Sequence, residues 1–242
     1  LLLREGGRRN VFDSKVAYPP PYVPRALTFG IGGRLTAEGE VLEPLDDGAV
    51  RGVIAEIAAL EVEAVAVTLL WSIVNPEQEL RVGELLEELM PGVPVTLSHR
   101  ANPSIREYRR ASAASIDASL KPLMARHLGD LLADCRAAGF ERNLLVVTSE
   151  GAVLDVDQVL SRPVLTLNSG PSMAPLVGAK SAPNADVVVV CDMGGTTFDV
   201  SLVQGGRIQH TREAWLGEPF IGHLTGLSSV AVQSIGAGGG SQ

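Results

Sequence analysis

The sequence predicts an α/β fold, and two observations carry that reading. Apolar runs such as Ala64–Leu70 and the valine-rich Asp186–Asp192 alternate with segments whose apolar residues recur at helical spacing. Between them stand the signals that start and stop helices, Asn-Pro, Ser-x-x-Glu, Pro-Gly and single glycines, where the alternation needs them.

The first 45 residues are rich in Pro, Gly and Arg, and Tyr18–Pro24 is expected to be extended. Phe29–Gly33 and Arg34–Leu42 read as short strands around a Glu38-Gly39 turn. Asp46-Asp47 caps a helix with Val50, Val53, Ile54, Ile57 and Leu60 on one face. Ala64–Leu70 reads as a strand covered on both faces. Asn75-Pro-Glu-Gln78 opens a helix that Pro91-Gly92 stops, and Val93–Leu97 returns as a strand that Pro94 places at a sheet edge.

A Ser-x-x-Glu capping box, Ser104 to Glu107, opens the longest helical stretch, to about Ala138. Its expected apolar stripe is Ile105, Tyr108, Ile116, Leu120, Leu123, Met124, Leu128, Leu131 and Cys135. Pro122 predicts a kink or two abutting helices, and Gly139 the stop. Then follow a strand over Asn143–Thr148, a short helix capped by Asp155 and Gln158, a strand over Val164–Leu167 and a helix from Asn168-Ser-Gly-Pro171. Asp186–Asp192 is expected to be a buried strand. Phe198–Val203 pairs with Gly206–His210 around Gln204-Gly-Gly206.

Composition removes several classes of function. With 20 Lys+Arg against 28 Asp+Glu the net charge is −8, which argues against a general nucleic-acid or anionic-membrane binder. No apolar run approaches the roughly 20 residues of a membrane span. Two cysteines cannot build a disulfide framework, so a reducing, cytoplasmic setting is expected. Only three lysines, Lys15, Lys121 and Lys180, are available to any lysine-dependent chemistry.

The sharpest motif is Cys191-Asp-Met-Gly-Gly-Thr-Thr-Phe-Asp199, at the end of a valine-rich strand. Two glycines let the backbone approach a ligand, and their N–H groups with the hydroxyls of Thr196 and Thr197 form donors for phosphate oxygens. Asp192 is placed to hold Mg²⁺ through water or to orient an attacking water, with Asp199 as a supporting carboxylate. An ordinary Gly-Gly β-turn is the alternative. The motif is not a Walker loop, because no Gly-x-x-x-x-Gly-Lys-Ser/Thr occurs.

Asp192–Asp199 resembles the second phosphate loop of the hydantoinase A / 5-oxoprolinase family, within the actin-like ATPase superfamily. Val67–Glu77, Leu97–His99, Arg106–Arg110, Ala118–Pro122, Ser169–Pro171 and Ile235–Ser241 are similar to that family in order and spacing. The resemblance covers the chain from about Asn10. It implies an incomplete actin-like ATPase (ribonuclease H-like) α/β fold. Residues 1–104 would be the remainder of the first lobe and 105–242 the first part of the second. It implies ATP with Mg²⁺ or another divalent cation, and opening of a cyclic amide by phosphorylation of its oxygen before hydrolysis. Related acetone and acetophenone carboxylases activate a ketone with the same machinery. A hydantoinase B-type subunit is the implied partner, in a hetero-oligomer.

On this resemblance the site residues are Asp192 for the metal, Asp192 and Asp199 for catalysis, and Gly194, Gly195, Thr196, Thr197, Gly238 and Gly239 for the nucleotide. The glycine run Gly236–Gly240 either lies against the nucleotide or is a frayed tail. The chain departs from the family's pattern in several places. The first phosphate loop is absent, and Gly30–Gly33 has no acid or Thr to replace it. Glu150-Gly151 stands where Asn-Gly is usual, Met173 and Pro175 replace small residues, and Phe198 replaces a small hydroxyl residue. The expectation is the middle of a larger ATPase, inactive alone. Carboxylation of a ketone by the same machinery and a non-catalytic assembly module are the two competing expectations.

Other candidates are more evenly balanced. His99 beside Asn102 follows a strand end, either as a site residue or as a hydrogen-bonded surface His. Ser169–Pro171 reads as a helix-opening turn that either faces a ligand or does not. His127, Cys135 and Cys191 read as packed residues. Arg106, Arg109 and Arg110 read as a solvated face, with contact to substrate or partner as the alternative. His210 and His223 have no metal-ligand partners at suitable spacing.

Overall fold

The computed structural model describes residues 12, 13, 15 and 20–241, so the segment expected to be extended, 18–24, lies partly outside it. In chain order the elements are β1 (Arg34–Leu35), β2 (Val41–Glu43), α1 (Asp47–Ala58), β3 (Val65–Val67), α2 (Glu77–Leu89), β4 (Val95–Leu97), α3 (Ser98–Ala101) and α4 (Glu107–Ala137). Then come β5 (Leu145–Val147), β6 (Val153–Asp155), α5 (Val156–Ser161), a 3-10 turn (Pro163–Thr166), α6 (Ser169–Ser181), β7 (Val187–Met193), β8 (Phe198–Gln204) and β9 (Arg207–Ile208). Five short strands finish the order: β10 (His210–Thr211), β11 (Trp215–Leu216), β12 (His223–Leu224), β13 (Ser229–Val230) and β14 (Val232–Ile235). The mixed α/β class is as the alternation predicts. The chain divides into two compact units, one of Leu1–Leu131 with Trp215–Gly226, the other of Leu132–Ala214 with Leu227–Gln242.

In the first unit β3 and β4 pair in parallel, Val65 opposite Val95 and Val67 opposite Leu97, with α2 as the crossover. Val50 and Ile54 of α1, Val82, Leu85 and Leu86 of α2, and Val67 and Leu97 of the strands form the core. The Asp46 side chain caps α1 by accepting from the N–H groups of Gly48 and Ala49. At α2, Asn75 Oδ1 accepts from Glu77 N–H (3.0 Å). Gln78 completes no box there; its side chain donates to the Glu43 carbonyl (2.9 Å).

The predicted box at Ser104 does not form: Ser104 Oγ is buried without a partner, and its carbonyl accepts from Arg110 Nη1 (2.9 Å). Helix α4 runs unbroken through Pro122 and ends in a Schellman motif. There Phe140 N–H bonds the Cys135 carbonyl (2.9 Å), and Gly139 N–H bonds the Arg136 carbonyl (3.0 Å). Its buried part is the small-residue stretch Arg110–Ala118, enclosed on all sides, while Ile105, Leu123 and Leu131 of the expected stripe are exposed. His127 is exposed too, which corrects its reading as a packed residue.

A buried polar network ties the carboxyl ends of β3 and β4 to α2 and α4. Glu79, 0% exposed, accepts at Oε1 from Leu69 N–H (3.1 Å) and Ser98 Oγ–H (2.6 Å). At Oε2 it accepts from His99 N–H (3.0 Å) and from His99 Nδ1. Arg110, also 0% exposed, donates to Ser98 Oγ, the Ser104 carbonyl and the Leu69 carbonyl at 3.1, 2.9 and 2.8 Å. Burial pushes the Arg110 pKa down, opposed by the Glu79 and Glu107 carboxylates. Arg110 therefore does not belong to a solvated basic face.

The second unit is built on an antiparallel sheet in the order β14-β8-β7, with β9 on β8. Gly205 (φ +56°) and Gly206 (φ +71°) make the tight turn between β8 and β9 that the Gly-Gly pair predicts. Helix α6 lies on one face of the sheet, where Gly178 allows the approach: a Cβ there would stand 2.2 Å from Val190 Cγ2. The other face of β7 is open among the described residues, so Val187, Val189, Cys191 and Met193 are exposed. The expectation of a fully buried strand with a core Cys191 is thus corrected: a continuous apolar run needs cover on both sides, and only one is covered. Cys135 is half-buried.

Asp155 and Gln158 form the predicted capping box at α5. The expected strand Val164–Leu167 is instead a 3-10 turn, opened by Pro163 with Thr166 Oγ bonding its carbonyl (2.8 Å). No helix among the described residues is long and apolar enough to cross a membrane.

Candidate functional site

The valine run that makes β7 ends at Met193, which faces Phe198 across the ladder, so residues 194–197 must turn the chain. Gly194 N–H closes the turn on the Thr197 carbonyl (2.9 Å). Neither turn glycine takes a positive φ; glycine supplies space here instead. A Cβ on Gly195 would meet nothing within 4 Å, so a ligand can reach bare backbone at this point. The N–H groups of Gly195 and Thr196 make no hydrogen bond among the described residues.

One step behind the turn, Asp192 of β7 and Asp199 of β8 are register partners and so share a face. Like charges directly opposite one another destabilise a ladder unless something lies between them. Asp192 is exposed. Asp199 is buried; Oδ2 accepts from Thr197 Oγ1 (3.4 Å), whereas Oδ1 has no partner. An orphaned carboxylate oxygen beside a second carboxylate and free N–H groups fits one divalent cation with phosphate oxygens. Mg²⁺ is usually held by one or two carboxylates together with water and phosphate. Among the described residues no group of three or more His, Cys, Asp or Glu is assembled to hold a metal. A cation here would therefore draw most of its ligands from water and phosphate.

The C-terminal glycine run is not frayed. Strand β14 pairs with β8, setting Ser234 opposite Asp199, and the chain then folds back over the turn. Gly239 N–H donates to the Gly194 carbonyl (2.9 Å) and Gly240 N–H to the Gly195 carbonyl (3.0 Å). Gly238 lies so close that a Cβ on it would be 2.6 Å from Thr196 N and 2.7 Å from the Gly194 oxygen.

A sequence model described as Hydantoinase/oxoprolinase matches residues 110–242, and one described as the Hydantoinase/oxoprolinase N-terminal region matches residues 1–90. The chain belongs to the hydantoinase/oxoprolinase family. It is 34% identical over 245 residues to caprolactamase subunit alpha of Pseudomonas jessenii, covering 100% of this chain and 35% of that protein. It is 32% identical to the acetophenone carboxylase gamma subunit of Aromatoleum aromaticum, covering 98% of this chain and 32% of that one. The crystal structure of the ATP-dependent caprolactamase from Pseudomonas jessenii matches with a TM-score of 0.78 at 32% identity, over 98% of this chain and 34% of that chain. The chain thus spans about a third of the length of these relatives.

In this hydantoinase/oxoprolinase chain Asp192, Gly194, Gly195, Thr196, Thr197, Asp199, Gly238 and Gly239 come together in one place. His99 lies in the other unit, bound to Glu79. His210 bonds the Ile208 and Glu150 carbonyls, and His223 packs edge-on against Tyr22. Ser169–Pro171 opens α6, with Asn168 at φ +58° before it. The sequence reading missed the Glu79–Ser98–Arg110 network. A signal was available: Glu79 falls with Val82, Leu85 and Leu86 on the buried stripe of α2, where an unpaired carboxylate would be costly.

Proposed function

We propose that this chain carries a phosphate-binding part of an ATP-dependent enzyme that opens a cyclic amide of the hydantoin or 5-oxoproline type. The amide oxygen is phosphorylated before hydrolysis. The observation that carries this reading is the opposed Asp192–Asp199 pair beside the bare Gly194–Thr197 turn. The ATP dependence of the caprolactamase at 32% identity supports it.

Asp192 would hold the cation, with water supplying further ligands. Asp199 accepts from Thr197 at one oxygen and has its other oxygen without a partner. The N–H groups of Gly195 and Thr196 with the Thr196 hydroxyl bind phosphate oxygens, Thr197 gives its hydroxyl hydrogen to Asp199 and so sets that carboxylate, and Gly238 and Gly239 hold the turn from behind. Mg²⁺, when bound, neutralises charge on the phosphates; the rest is positioning, which is most of what phosphoryl transfer asks of a protein. The same reading takes the fold as actin-like, with 1–104 in the first lobe and 105–242 in the second. It takes a hydantoinase B-type subunit as partner, in a cytoplasmic hetero-oligomer. A second reading, activation of a ketone for carboxylation, is favoured by the likeness to the acetophenone carboxylase gamma subunit.

Asp192→Ala in the full-length protein is the test. ADP release with a cyclic amide should fall at least ~100-fold while folding, followed by circular dichroism, is unchanged. Wild-type turnover in that variant would remove Asp192 from its role. ADP release that requires a ketone and bicarbonate instead of an amide would select the second reading. On the reading that these 242 residues hold one of two phosphate loops, calorimetry on them alone should give weak MgATP binding without turnover. Steady ATP hydrolysis by them would overturn that half-site assignment.

A further inference from the structure

His99 stands two residues beyond the carboxyl end of β4, and Leu69 two beyond β3. Crevices outside the carboxyl ends of parallel strands are where open α/β sheets bind ligands. The Glu79 carboxylate accepts from His99 Nδ1, so that nitrogen carries the hydrogen. In the neutral ring Nε2 then carries the lone pair. Nε2 has no hydrogen-bond partner among the described residues, and the side chain is 13% exposed.

Around this ring the fold is unusually constrained. Glu79 receives four hydrogen bonds, and Arg110 secures Ser98 and the Leu69 carbonyl. Asn102, three residues on, donates to the Thr225 carbonyl (2.8 Å). A carboxylate behind an imidazole, with the far nitrogen left open, fixes the tautomer and the orientation of the ring.

We infer that Nε2 of His99, oriented by Glu79, accepts a hydrogen bond from the N–H of a cyclic amide. This rests on the proposed function and narrows it. An N–H held by an acceptor pushes electron density onto the conjugated carbonyl oxygen. A simple ketone offers no N–H, so the same acceptor selects amide over ketone. Sites built to bond a substrate N–H discriminate strongly against analogues that lack it.

The test uses the full-length protein with ¹⁵N-labelled histidine, the His99 signals being assigned by their loss in His99→Gln. The free protein should show His99 as the Nδ1–H tautomer. Adding 2-pyrrolidone should move its Nε2 resonance, and N-methyl-2-pyrrolidone should leave it in place. His99→Gln should lower amide turnover on the order of 100-fold with MgATP affinity unchanged, and Glu79→Gln should mix the two tautomers. A purely structural ion pair moves none of these readouts with the amide.

An Nε2–H tautomer, a doubly protonated ring, or an equal response to the two pyrrolidones would overturn the assignment. A protein that gives the response yet hydrolyses no amide loses the proposed function and keeps this site. Amide hydrolysis with an unresponsive His99 removes this site alone.

Discussion

Truncating Arg110 to alanine should cost the first unit about 3–5 kcal/mol, the range for breaking a buried charged network by removing one partner. The guanidinium is 0% exposed and makes three hydrogen bonds, to Ser98 Oγ and to the Leu69 and Ser104 carbonyls. Without it two carbonyls lose a donor, and the Glu79 carboxylate loses a buried cation that interacts with it from α4. Native stabilities are themselves only about 5–15 kcal/mol, so the change should be plain in a urea titration. Arg110→Lys should recover part of the loss, because the charge returns and the three-way fork does not. A midpoint within experimental scatter of wild type would mean that hydrophobic packing around Ala111–Ala118 holds the helix unaided.

Gly238→Val should weaken MgATP binding by the full-length protein by about 10–100-fold, or ~1.4–2.8 kcal/mol. A Cβ at this position meets Thr196 N at 2.6 Å, the Gly194 oxygen at 2.7 Å and the Gly195 carbonyl carbon at 2.7 Å. All three are backbone atoms, with no flexible side-chain end to swing aside. The turn itself must move, and its N–H groups move with it. Gly236→Ala is the control, since a Cβ there meets nothing within 4 Å. Equal affinity in Gly238→Val and Gly236→Ala, measured by calorimetry, would show that the turn does not depend on its backing.

Local chemistry was readable wherever neighbours in sequence are also partners in space. The Asp46 cap, the Asp155–Gln158 box, the Gly139 stop and the Gly205-Gly206 turn each form as their residue types require. The strand–turn–strand that carries the phosphate-loop candidates was readable for the same reason: its parts are contiguous. Burial was not. Whether Asp186–Asp192 is covered on one face or two depends on elements far along the chain, and periodicity carries no record of them. Arg110 looked like one of three surface arginines because its partners, Leu69, Glu79 and Ser98, lie 12 to 41 residues away. The unformed box at Ser104 has a related cause, since Arg110 takes the Ser104 carbonyl and the helix starts only at Glu107.

Trp215–Gly226 belongs to the first unit although the residues on both sides of it belong to the second. Synthesis is vectorial, so the first unit emerges early but waits for its final piece until residue 226 has left the ribosome. At about 5–20 residues per second the intervening stretch delays it by on the order of ten seconds. Until then Asn102 lacks the Thr225 carbonyl and Gly226 has not reached Arg109. The nascent chain therefore passes through an interval in which neither unit is whole, and a protease or a chaperone would find it there.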